Sequence, residues 1–69
     1  MLFSLYTVYD KVAKESGPIF QAHNDQVAMR SFSQMPIDEK VKGDFELIKL
    51  GEYDTEKVQV TPCELVTFE

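Results

Sequence analysis

Three acidic residues alternate near the middle of the chain, Glu52, Asp54 and Glu56 within "LGEYDTEKV". Carboxylates at every second position mimic positions 1, 3 and 5 of a calcium-binding loop. Position 6 would then be Lys57, where the loop needs Gly for its sharp turn, and position 12 would be Cys63, where it needs a bidentate Glu. The acids therefore read as a solvated turn. His23 is the only histidine and Cys63 the only thiol. A nucleophile pair would need them to meet in space with a third, orienting group. The sequence instead puts His23 just before a helix and Cys63 near a strand end. One cysteine also excludes an intrachain disulfide and paired-thiolate zinc, and suits a reducing compartment. Gly17, Gly43 and Gly51 are isolated, so no loop cradles a phosphate. No pair of carboxylates sits in an apolar setting. The expectation is a protein without catalytic activity, metal or cofactor.

A second set of residues has chemistry suited to nucleic acid. Tyr6 and Tyr9 fall on a strand with Lys11 and Lys14 just beyond, so rings that stack on bases would stand beside cations that meet phosphates. The same residues fit core aromatics followed by solvated lysines. Arg30, on the outer side of a helix, is open to a phosphate contact or to pairing with a carboxylate. The net charge of −5 is unevenly spread. Residues 1–42 carry five basic and five acidic side chains, whereas residues 43–69 carry two basic and seven acidic. A polyanion would be tolerated only by the N-terminal part.

The elements that must position these residues can be read from patterning. Sixty-nine residues make a single domain, 1–69, burying only about 60% of the surface of its unfolded chain. "LFSLYTVY" (2–9) is rich in aromatic and β-branched residues and apolar on both faces, which predicts a central strand. "DKVAKESGP" predicts a short helical turn ended by Gly17-Pro18, and "PIFQAH" a second strand with Pro18 at its start. Asn24 is a suitable N-cap for a helix over residues 25–35, with Val27, Ala28, Ser31, Phe32 and Met35 on one side and Pro36 as the stop. Residues 44–50 and 57–61 predict a hairpin, with Glu52 opposite Lys57 as the preferred register. The fold class is α+β: a small, mostly antiparallel sheet of about four strands with one principal helix on one face. A core so small, apolar on both strand faces, predicts a homodimer. The N-terminus shows neither a basic leader with a cleavage pattern nor an apolar run approaching the ~20 residues of a membrane span, so the expectation is a protein free of the membrane.

Several segments in fixed order resemble the small nonstructural protein of gokushovirus-type microviruses, which are single-stranded DNA phages. They are "VYD" (8–10), "GPIF" (17–20), "ND" opening a helix with Ala28, Met29, Arg30, Ser31 and Phe32, and "LGEYD" (50–54). The resemblance implies a bacteriophage protein of the Microviridae made in the cytoplasm of the infected host and absent from the mature virion. It also implies a DNA-binding accessory factor in DNA replication or packaging, with weak single-stranded DNA contact through Lys11, Lys14, Arg30, Tyr6 and Tyr9. The alternative is a dimeric module that contacts a phage or host replication protein and binds no DNA itself.

Overall fold

The first strand, β1 (Leu2–Asp10), is the spine of the molecule. The computed structural model describes residues 1–68. Along the chain follow β2 (Glu15–Ser16), β3 (Phe20–Ala22), α1 (Asp25–Ser33), a short 3-10 turn (Lys42–Asp44), β4 (Phe45–Asp54) and β5 (Gln59–Phe68). β2 and β3 pair side by side along one edge of β1, β4 pairs along its other edge, and β5 lies outside β4. Every pairing is antiparallel. The result is a five-stranded sheet with one α-helix on one face.

Residues 10–16 form a hairpin and not the helical turn expected from "DKVAKES". Asp10 decides this locally. Its carboxylate Oδ1 accepts from the backbone N–H of Val12 and Ala13 at 2.9 and 3.1 Å, and its carbonyl accepts from Lys14 N–H at 2.8 Å. A side chain that satisfies two backbone donors competes directly with helix propagation. Lys14 closes the turn with φ of 59°. The β4–β5 turn is built the same way: Asp54 Oδ1 accepts from Glu56 and Lys57 N–H at 3.0 and 3.3 Å, and Val58 closes it with φ of 54°. The left-handed region is costly for a β-branched residue, so Val58 is held there by the pairing of the flanking strands.

The second hairpin is also longer and differently registered than the sequence suggests. Asp54 faces Gln59 and Glu52 faces Thr61, so the Glu52–Lys57 pair does not form. Gly51 lies inside β4, not in a loop, and Cys63 lies in the middle of β5, not at its end. Pairing is irregular around Leu50. It is skipped between Leu5–Gly51 and Tyr6–Lys49 on one side, while three residues of β5, Cys63 to Leu65, face it on the other.

The predicted N-cap is in place, with Asn24 Oδ1 accepting from Val27 N–H at 2.9 Å. The helix stops two residues earlier than expected, at Ser33, which leaves Met35 beyond it. Pro36 disfavours helical backbone at the residue before it, so Met35 cannot continue the turn. Ala28 is fully buried against Tyr6, Ala22 and Leu47, and Val8, Phe20, Val27, Phe32 and Phe68 pack around these four. Alternation along β1 sends Tyr6 and Val8 to the helix side and Phe3, Leu5, Thr7 and Tyr9 to the other. No helix among the described residues is long and apolar enough to cross a membrane.

Candidate nucleic-acid interface

The two tyrosines end up on opposite sides of the sheet. Tyr6 is fully buried beneath α1, with Phe20 and Phe68 at ring-centroid distances of 5.8 and 6.3 Å. A base cannot reach it, so Tyr6 is not the stacking residue its sequence position suggests; its ring is core. Its hydroxyl donates to Asp25 Oδ1 at 2.5 Å, and Lys49, the cross-strand neighbour of Tyr6, places Nζ 3.6 Å from the same oxygen. Asp25 opens α1, where the helix dipole favours a carboxylate. The three groups anchor the helix start to the sheet. Tyr9 is half-buried on the face that α1 does not cover.

Burial, followed by the bond to Asp25, pushes the Tyr6 hydroxyl up to about 12. The folded value lies above the unfolded one, so this contribution to stability is complete below about pH 10 and is lost as pH rises from about 10 to 12. Tyr6→Phe keeps the ring and removes the bond to a charged acceptor. The expected cost near pH 7 is about 1.5 kcal/mol, at the low end for charged acceptors because Asp25 keeps Lys49. Urea titrations should also show the gap between wild type and variant closing across pH 10–12. A gap constant through that range would break the link to the hydroxyl.

The cations gather more closely than the tyrosines. Lys11 and Lys14 flank the β1–β2 turn. Lys11 Nζ lies 3.6 Å from Glu46, and its backbone N–H donates to Asp44 O at 2.8 Å. Lys42, between α1 and β4, reaches Nζ to the Ser33 carbonyl at 3.1 Å, at the last turn of α1. Cations are favoured there by the helix dipole and by its unpaired carbonyls. Arg30 is exposed on that same last turn. Among the described residues, neither Arg30 nor Lys14 has an ion pair. A cleft of about 390 Å³ opens between Lys11 and Lys42, with Phe32, Phe45 and Phe68 among its walls and Glu46 at its side. One end of the sheet thus joins lysines to partly buried aromatic rings. Tyr9 does not line this cleft.

Glu52, Asp54 and Glu56 do not converge on one point. Glu52 and Asp54 are strand residues and Glu56 is in the turn, 3.7 Å from the N-terminal amine of Met1. Among the described residues, no three His, Cys, Asp or Glu side chains come together to hold a metal ion. His23 stands before the N-cap with its ring 4.7 Å from that of Phe3, and Cys63 is exposed on β5.

Among known families, the model described as Phage ORF5 protein matches residues 3–68. No curated protein and no solved structure matches the chain.

Proposed function

The chain belongs to the phage ORF5 protein family, and on that premise we propose that it is a nonstructural accessory factor of single-stranded DNA phage replication or packaging. It works by binding and not by catalysis, in the cytoplasm of the infected host and outside the mature virion. Its contact with single-stranded DNA is weak. The observation that carries this reading is the cleft between Lys11 and Lys42, walled by phenylalanines, with Lys14 in the turn that Lys11 opens and Arg30 on the last turn of α1, which Lys42 reaches. The net charge of −5, with Asp10 and Glu46 among the acids at this same end, limits affinity. The resemblance to the gokushovirus nonstructural protein points the same way.

Fluorescence anisotropy with a single-stranded oligothymidine tests it. Each phosphate contact on a single strand adds roughly −0.7 to the slope of log K against log salt, so four cations give a slope of about −3. The double reversal Lys14→Glu and Arg30→Glu, at two exposed sites, should weaken binding about tenfold or more at low salt and make the slope shallower, with the circular dichroism unchanged. Neutralising Glu52 and Glu56 should strengthen binding slightly. Absence of binding at low salt, or binding indifferent to the reversal, hands the function to the second reading: a dimeric module that contacts a phage or host protein. The sheet face that α1 leaves open favours that second reading.

A further inference from the structure

We propose that the sheet face opposite α1 is a homodimer interface, covered by the same face of a second copy of this chain. The proposal is independent of DNA binding. Phe3, Leu5, Ile48, Leu50 and Tyr53 are half-buried there, and Leu65 is 69% exposed. A groove of about 370 Å³ runs between Tyr9, Ile48, Leu50 and Leu65. Among the described residues no helix covers this face, because α1 packs on the other; the His23 ring lies only against Phe3.

The surface area indicates how much is missing. The chain exposes 5102 Å², whereas a folded monomer of 7.9 kDa is expected to expose roughly 4,400 Å². The excess, about 700 Å², is close to the ~800 Å² that one partner buries in an interface of standard size. A patch related to itself by a two-fold axis is the commonest way to bury it.

Charge and edge geometry argue for a second copy docked face to face. Glu52 and Asp54 pair across the sheet with Ser4 and Leu2, on the helix side, so these two carboxylates do not oppose their copies between open faces. Glu46, at the end of the groove, is already matched by Lys11 at 3.6 Å. Pairing through the β5 edge is the obvious competitor, and β5 is poorly made for it. Pro62 has no N–H to donate, and the strand is irregular over the three residues that follow. Both features blunt an edge against continuation of a sheet.

Light scattering and sedimentation of the full chain test the proposal, with circular dichroism to check folding. The wild type should have twice the 7.9 kDa chain mass at micromolar concentration. Leu65→Lys, at an exposed site, should raise the dimer dissociation constant about tenfold or more while leaving the fold intact. Val60→Lys, opposite Tyr53 on the same face, should do likewise. A second measurement needs no variant. Dilution of the wild type should shift the methyl resonances of Leu5, Ile48, Leu50 and Leu65 and leave those of Ala22 and Ala28 in place. A wild type that stays monomeric at 100 µM (roughly the top of the working range) would overturn the proposal, leaving the face to a different partner. So would a dimer that tolerates Leu65→Lys and Val60→Lys but is broken by Val66→Lys, on the helix side of β5.

Discussion

Leu47→Ala should lower the melting temperature by roughly 10–25 °C, close to the limit of what this chain survives. Leu47 and Tyr6 are the largest fully buried side chains among the described residues. It lies between Val8 on β1 and Phe68 on β5, beneath Ala28 of the helix. Removing three carbon atoms there forfeits their transfer from water and leaves a void that the rigid strands on both sides cannot close. Leu→Ala changes of this kind cost about 2–5 kcal/mol. Total stability for 69 residues is on the order of 3–10 kcal/mol, so the loss is a large share of the whole. Val12→Ala supplies the comparison: Val12 is 72% exposed in the β1–β2 turn, and its truncation should stay within about 0.5 kcal/mol. Both are measured by thermal or urea unfolding at one protein concentration, because any self-association makes stability depend on concentration. Equal melting temperatures for the two variants would mean that the core is not centred on Leu47.

How much of this was legible in the sequence depended on how local each determinant is. The N-cap at Asn24 and the stop before Pro36 depend on neighbours within one turn, and both are found within two residues of where the sequence puts them. The Asp10 turn is local too, yet its residue types point to a helix. "DKVAKE" has good helix-forming residues and no Gly, while the hairpin depends on Lys14 accepting positive φ, which composition does not advertise. The pattern predicts the last strand over 57–61, whereas β5 runs through Pro62 to Phe68. On an edge strand, where a missing N–H deprives no neighbour, Pro is tolerated. The Tyr6–Asp25–Lys49 anchor joins three elements, and no periodicity within any one of them foretells it. Lys42 is non-local in the same way: only the return of the chain to the C-terminal end of α1 brings it to the cleft that Lys11 lines.

Gly51 provides the second large effect, and here too the determinant is invisible to the sequence. Its backbone angles do not require glycine, since φ is not positive. Space requires it instead. A Cβ on residue 51 would lie 2.4 Å from the carbonyl oxygen of Thr61 and 2.9 Å from Cα of Pro62. Both are backbone atoms of β5, so no rotamer change relieves the clash; the strand itself must move away. Gly51 lies beside the irregularity at Leu50 that turns Lys49 to the helix side, with the β5 backbone of Thr61 and Pro62 against it. Gly51→Ala should therefore cost about 1–3 kcal/mol, in the range of core overpacking, and Gly51→Val more. The damage should be directional. Amides of β5, residues 59–68, should lose hydrogen-exchange protection first, while α1 and the β1–β3 pairing keep theirs at mild denaturant. Gly43→Ala is the matched control, because a Cβ there meets nothing within 4 Å. If Gly51→Ala unfolds at the same urea concentration as Gly43→Ala, β5 does not approach β4 as closely as the structure requires.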